Sequence, residues 1–217
     1  MFTAIIFDLD GVITDTARYH YLAWKRLAEG LGVPFDEAFN EQLKGVDRMG
    51  SLDLILRRGG LDPDAAERAR LADQKNDDYR QLVATMTRAD LLPGALRALE
   101  AARGAGLKVG LASVSKNAGT ILERLGITGY FDYVVDANLI TRGKPDPEIF
   151  LTAAERLGVA PKACIGVEDA AVGVQAIKSA GMVAIGVGDP TILALADRVV
   201  PTLFDFDLAA ALRDLAV

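Results

Sequence analysis

The 217-residue chain holds a single cysteine, a single histidine and a single tryptophan, and aromatic residues make up only 6% of it. With Cys164 alone, no intramolecular disulfide can form, which excludes a disulfide-stapled scaffold and fits a reducing compartment. Its neighbours, Ala163, Ile165, Gly166 and Val167, read as a buried strand, so the thiol is assigned to packing. Positive charge is also scarce: 24 basic against 30 acidic residues leave a net charge of -6, which opposes attachment to nucleic acid or to an anionic membrane. No run approaches the roughly 20 apolar residues of a membrane span. The opening segment has no basic leader, and its apolar stretch breaks at Asp8 and Asp10, so a cytoplasmic protein is expected. Internal repeats and low-complexity segments are missing too. What is present, 51% hydrophobic and 25% charged residues, is the balance of a soluble globular protein and excludes disorder as a main theme. At roughly 150 residues per domain, the length suits one domain with a sizeable insertion, or two small ones.

Short apolar runs at 4–7, 107–112, 164–167 and 182–187, with a weaker one at 133–135, lack strict alternation, as strands covered on both faces do. Helical patterns lie between them at 95–105, 118–125, 147–157 and 172–180, the third opening on Pro147 as its first helical residue. This alternation predicts an α/β fold with a doubly wound parallel sheet. Residues 15–87 break the rhythm with helical periodicity alone. They are expected to form an inserted all-helical domain, leaving 1–14 and 88–217 as the core domain, with linkers near 14–16 and 87–90. In the insertion, Tyr21, Trp24, Leu27, Ala28 and Leu31 mark the buried face of a first helix, which puts Trp24 in its core. Further helices are expected at 36–43, 51–58 and 64–83, with breaks at Gly59-Gly60 and Asp62-Pro63.

The chemistry-bearing residues fall at strand ends. Asp8-Leu9-Asp10-Gly11 follows the first strand, and the carboxyl ends of parallel strands line the ligand crevice. An Asp-Gly turn with solvated carboxylates is the bland alternative. The strand at 107–112 runs into Ser113-Val114-Ser115-Lys116-Asn117, a hydroxyl-rich turn suited to holding phosphate at a helix N-terminus, or to capping the helix through Ser115 or Asn117. The strand at 164–167 ends in Glu168-Asp169. Carboxylate pairs after two strands repel one another and call for a cation, and an all-oxygen ligand set favours Mg²⁺ over zinc. Lys144, between Gly143 and Pro145 ahead of a helix, either neutralises this cluster together with a phosphate or is an exposed loop lysine.

In this order, Asp8-Leu9-Asp10-Gly11-Val12, Ser113, Lys144-Pro145 and Glu168-Asp169 resemble the four motifs of the haloacid dehalogenase superfamily over essentially the whole chain. Residues 7–16, His20, the run 39–46, Arg48 and Ser115-Lys116-Asn117 are similar, within it, to the β-phosphoglucomutase family. The resemblance implies Asp8 as a nucleophile that becomes an aspartyl phosphate and Asp10 as general acid/base. It implies Mg²⁺ held by Asp8, Glu168, Asp169 and the backbone carbonyl of Asp10, with Ser113 and Lys144 gripping the transferring phosphoryl group. Arg48, Ser115, Lys116 and Asn117 would hold the phosphate at the far end of a sugar. Thr16 and His20 would belong to the region that orients Asp10, although a lone histidine on a helix is equally well a structural hydrogen-bonding residue. Lys44, Gly45, Val46, Lys75 and Trp24 are further substrate-side candidates. Asp47, Met49-Gly50 and Val114 depart from the family pattern, which bears on the sugar rather than on the reaction type.

The implied activity is a mutase that interconverts β-glucose 1-phosphate and glucose 6-phosphate through a bisphosphate. A phosphatase of the same fold acting on a small phosphoester stays open, since both make the same aspartyl phosphate. A phosphoacceptor signalling domain uses a similar residue set, but needs neither a helical insertion nor a second aspartate beside the nucleophile. Asp10 also argues against carbon-halogen cleavage, which needs no protonated leaving group, and Lys44 keeps a Schiff-base phosphonate hydrolase barely in play. The expected partner is a small sugar phosphate, without nucleic acid or membrane, and the expected state a monomer.

Overall fold

A computed structural model describes residues 1–43, 46 and 48–215. The chain divides into two compact units, one formed by residues 1–15 and 86–217, the other by 16–85. In the first lie strands β1 (Ala4–Phe7), β2 (Lys108–Leu111), β3 (Tyr133–Val134), β4 (Cys164–Glu168), β5 (Val183–Val187) and β6 (Arg198–Val200). They form one sheet in the order β3-β2-β1-β4-β5-β6, every pair parallel. All residues of β1 and β4 are buried, which is why both read as unbroken apolar runs instead of alternating ones. The second unit is wholly helical, with α1 (Ala17–Gly30), α2 (Glu37–Asn40), α3 (Arg48–Arg58) and α4 (Ala65–Val83). The crossover helices of the sheet unit are α5 (Ala95–Gly104), α6 (Ala118–Leu125), α7 (Glu148–Leu157) and α8 (Ala171–Ser179), followed at the end by α9 (Leu208–Asp214).

Each unit has its own core. In the sheet unit, α7 buries Ile149, Phe150, Ala153, Ala154 and Leu157, the stripe expected of a 3.6-residue period. These side chains pack with Ile6, Cys164, Ile177 and Met182. In the helical unit, Trp24, Leu27, Phe35, Phe39, Leu52, Ile55, Leu56 and Leu71 form one cluster. Two of its helices start on aspartate caps: Asp36 accepts from the Phe39 N–H at 2.8 Å and Asp64 from the Glu67 N–H at 2.9 Å. Such a cap stabilises a helix start by about 0.5–2 kcal/mol.

The chain leaves and re-enters the sheet unit at one place. Thr14 bridges Leu91 in an antiparallel sense, the Leu92 N–H donates to the Ile13 carbonyl at 2.9 Å, and the buried Thr14 hydroxyl donates to the Asp90 carbonyl at 2.7 Å.

Several sequence expectations need correction. A sixth strand, β6, and the final helix α9 have no counterpart in the expected element list. The helix expected over 36–43 is α2 followed by a 3₁₀ turn at Glu41–Leu43, and the one expected from residue 51 begins at Arg48. Pro147 is the cap residue ahead of α7, not its first helical residue.

Candidate active site

In the strand order the winding reverses between β1 and β4, the position where open parallel sheets bind their ligands. Phe7 of β1 is in register with Val167 of β4, and the Asp8 N–H continues the ladder onto the Val167 carbonyl at 2.9 Å. Asp8 and Glu168 therefore emerge side by side at the carboxyl end of the sheet. Lys144 joins them from the loop before α7, with its ammonium 2.6 Å from Asp8 Oδ1 and 2.7 Å from Glu168 Oε2. The Asp8 and Glu168 residues are buried and the Lys144 side chain is only 11% exposed, so neither a solvated Asp-Gly turn nor a free loop lysine describes them.

Asp169 completes the cluster: ligand oxygens of Asp8, Glu168 and Asp169 all lie within 4.8 Å of one another. Among the described residues this is the group able to share a metal ion, and the Asp10 side chain is not in it. Three carboxylates, those of Asp8 and Glu168 buried, against one ammonium leave an excess of negative charge. Burial lifts the Asp8 carboxyl to about 7, with Lys144 pulling it back and Glu168 adding to the rise. Burial also raises Glu168 and Asp169. For Lys144, burial works against the charged form, but Asp8 and Glu168 outweigh it and hold the ammonium above the usual lysine range. Oxygen donors, net negative charge and raised carboxyl pKa values together fit a hard divalent cation.

Tight turns support the cluster. After β1, the Gly11 N–H donates to the Thr14 carbonyl and the Thr14 N–H to the Leu9 carbonyl, closing a loop on which Asp10 is half-buried. Gly11 has φ 76°, and a Cβ there would fall within the Asp169 carboxylate. After β2, the buried Ser113 Oγ accepts from the Ser115 N–H at 3.1 Å, and Ser115 Oγ accepts from the Asn117 N–H at 3.3 Å. Both hydroxyls thus shape the turn into α6, where Asn117 occupies the cap position without a side-chain capping bond. Lys116 is exposed and Ser115 and Asn117 are half-buried.

The loop carrying Lys144 is tied down by a residue that the motif reading passed over. Glu148 accepts from the Thr141 and Arg142 N–H groups, each at 2.9 Å, and from the Thr141 hydroxyl and Arg142 Nε. The backbone donor of Thr141 is the first of the contacts that hold the Glu148 carboxyl down to about 2. Its position, second after the Lys-Pro pair's Asp146 and first in α7, was the available signal.

In the helical unit the structure assembles a separate basic group. Lys75 is buried, with Nζ 2.8 Å from His20 Nδ1 and lying over the rings of Trp24 and Tyr79 at 4.6 and 5.0 Å. His20 stacks on Tyr79 at 4.1 Å between centroids. Arg48 donates to Asn76 Oδ1 at 2.9 Å. Burial, then repulsion from Arg48, lowers Lys75 to about 7, and burial followed by Lys75 and Arg48 holds the His20 imidazole well below its ordinary range. Trp24, a substrate-side candidate by sequence, is 4% exposed and belongs to the helical core beneath Lys75, so its contact is with that lysine. Thr16 is buried at the cap of α1. Val46 is 38% exposed, whereas Lys44, Gly45 and the departure at Asp47 lie outside the described residues. Of the other departures, Met49 and Val114 are exposed and Gly50 is half-buried.

Known proteins bear on this arrangement. A β-phosphoglucomutase of Bacillus subtilis is 50% identical over 207 residues, which span 94% of this chain and 92% of that one. The crystal structure of a β-phosphoglucomutase from Clostridium difficile is 45% identical and superposes with a TM-score of 0.87, covering 98% of this chain and 96% of that one. A phosphorylated carbohydrates phosphatase of Thermotoga maritima is 33% identical over 183 residues, 82% of each chain. The family model described as haloacid dehalogenase-like hydrolase matches residues 2–181. That span takes in both carboxylate-bearing strand ends and the whole helical insertion, and the chain belongs to the haloacid dehalogenase-like hydrolases.

Proposed function

We propose that this chain is a β-phosphoglucomutase, interconverting β-D-glucose 1-phosphate and D-glucose 6-phosphate through an aspartyl phosphate on Asp8 and a β-glucose 1,6-bisphosphate intermediate. The observation that carries the reading is the buried Asp8–Lys144–Glu168 group at the sheet's switch point, in a chain 50% identical to a bacterial enzyme of that name. A carboxylate attacks a dianionic phosphoryl group only where charge is neutralised, and the Lys144 ammonium, 2.6 Å from Asp8, supplies one such charge. Asp8, Glu168 and Asp169, with the Asp10 carbonyl, would hold Mg²⁺, which when bound offsets the charge of the carboxylates and of the phosphoryl oxygens.

In the forward direction, phosphorylated Asp8 gives its phosphoryl group to the sugar 6-hydroxyl. Asp10 takes the proton of that hydroxyl, and the product is the bisphosphate. After the bisphosphate turns round, the Asp8 carboxylate attacks phosphorus at the 1-position, the bond to the anomeric oxygen breaks, and Asp10 returns its proton to that oxygen. General acid/base help of this kind is worth roughly 10² to 10⁴ in rate. Ser113 and Lys144 hold the transferring group, and Arg48 is assigned to a second phosphate of the substrate. The mutual repulsion of Arg48 and Lys75 supports a basic subsite in the helical unit. A second phosphate site is what a bisphosphate needs and simple hydrolysis does not.

Phosphorus NMR of β-glucose 1-phosphate with enzyme, Mg²⁺ and a trace of bisphosphate tests the reading. Glucose 6-phosphate is expected to grow in as the substrate signal declines. Inorganic phosphate appearing as fast as substrate disappears, with no glucose 6-phosphate, would establish a phosphatase instead. The Arg48→Ala variant should lose on the order of 10² in mutase efficiency, roughly 2.7 kcal/mol, while phosphorylation of Asp8 by an acyl phosphate changes far less.

A further inference from the structure

Glu168 sits at the end of β4 with its backbone in register with Gly186 of β5, and it is 1% exposed. Its carboxylate is boxed in. Oε1 accepts from the N–H groups of Asp169 and Ala170 at 3.2 Å each, and Oε2 faces the Lys144 ammonium at 2.7 Å. The remaining side is closed by Gly173, in the first turn of α8, where a Cβ would overlap Cδ and Oε2 of the glutamate and crowd its Cγ. A glycine inside a helix is unfavourable compared with alanine, so local helix stability does not account for it. We infer that Gly173 is a positioning residue of the acidic cluster: its missing side chain is the space that Glu168 occupies when it faces Lys144 and joins Asp8 and Asp169.

An alanine at 173 forces a shift, since its Cβ would lie 2.1 Å from both Cδ and Oε2 of Glu168. The strand is held on both sides by β1 and β5, so the glutamate must swing its carboxylate out of the cluster. It would then leave the two N–H donors and Lys144, and a buried carboxylate without partners is strongly disfavoured. Gly11 makes the matching allowance for Asp169 from the opposite loop. The inference rests on the reading of Glu168 as a metal ligand, and the test separates the two.

Mg²⁺ binding to the purified full chain is measured by titration calorimetry for the parent, Gly173→Ala and Glu168→Ala, with near-ultraviolet circular dichroism as the check on folding. Gly173→Ala is expected to weaken Mg²⁺ by 10-fold or more, the range seen when residues behind metal ligands are changed. Parental affinity in Gly173→Ala, alongside a loss in Glu168→Ala, overturns the role of Gly173 and leaves the metal reading standing. Parental affinity in Glu168→Ala overturns both. If Gly173→Ala does not fold, Gly173→Ala/Glu168→Ala decides: with the carboxylate gone, the double variant should melt at or above the temperature of Glu168→Ala alone. A double variant as damaged as Gly173→Ala shows that the clash lies elsewhere and overturns the inference.

Discussion

Asp8 carries two opposed demands. In the proposed reaction it must be ionised, yet its burial favours the neutral acid and lifts its pKa from 3.8 to about 7. A carboxyl whose pKa is raised on folding loses stability as pH climbs from the unfolded value to the folded one, because the unfolded chain gives up its proton first. Asparagine at this position has no proton to lose. The Asp8→Asn variant is therefore expected to be inactive in sugar-phosphate turnover and, without metal, to gain thermal stability over the parent as pH rises from about 4 to about 7. Melting curves across that interval check the sign. A parent that gains on the variant with rising pH would mean that Lys144 outweighs burial at Asp8. Added Mg²⁺ should shrink the gap, since the parent carboxylate then has a second counter-charge.

The loop between β3 and α7 shows how Lys144 is held without regular structure. Glu148 gathers the Thr141 and Arg142 N–H groups, while Asp146 accepts from the Glu148 N–H at 2.9 Å, so the chain is fastened on either side of Lys144. Glu148→Ala should release the loop and lower kcat/KM by about 10-fold, because a displacement of about 1 Å at a reacting centre can cost even more. Its effect on stability has a pH signature. The carboxyl lies at about 2 in the folded chain against 4.5 unperturbed, so its contribution is complete above about pH 4.5 and is lost as pH falls towards 2. The melting temperatures of parent and variant should converge over that window; a constant gap would assign the effect to lost packing.

The same contrast marks what could be read from the sequence. β1 and β4 were legible because burial on both faces leaves an unmistakable apolar run, and the acids that follow them announce a strand end. β6 was not, since Arg198-Val199-Val200 is a three-residue edge strand whose first side chain pairs with Asp214 at 2.8 Å. Motif spacing brought Asp8, Lys144 and Glu168 to one place, and the structure joins them within hydrogen-bond distance. Glu148 and Gly173 escaped notice for a different reason. One acts through backbone groups that no side-chain pattern reveals, and the other through a volume it leaves empty, which in sequence is only a poor helix former.

In a chain with 30 acidic residues against 24 basic ones, a cluster of three carboxylates, two of them buried, would make a bound divalent cation a folding ligand. Mg²⁺ at about a hundredfold excess over its Kd should stabilise the folded state by roughly 2.7 kcal/mol. For a chain of this size that is an upward shift of about 5–10 °C in melting temperature. Asp169→Ala should remove most of the shift, and scanning calorimetry with and without the ion measures it. With a hydrophobic cluster in each unit, melting need not be a single transition, and the shift belongs to the sheet unit that contains the carboxylates. Among the described residues, no helix is long and apolar enough to cross a membrane.

The pairing of residues 13–14 with 90–92 makes the exit and return of the chain neighbours in the sheet unit. To the sheet, everything from 16 to 85 is one loop whose ends already meet, and the entropy of closing a loop grows only with the logarithm of its length. Such a junction behaves as a socket: the insertion can lengthen, shorten or be exchanged for another in the course of evolution while the strand ends bearing Asp8 and Glu168 keep their register. The helical insertion and the strand ends are thereby stretches of chain that can diverge at different rates.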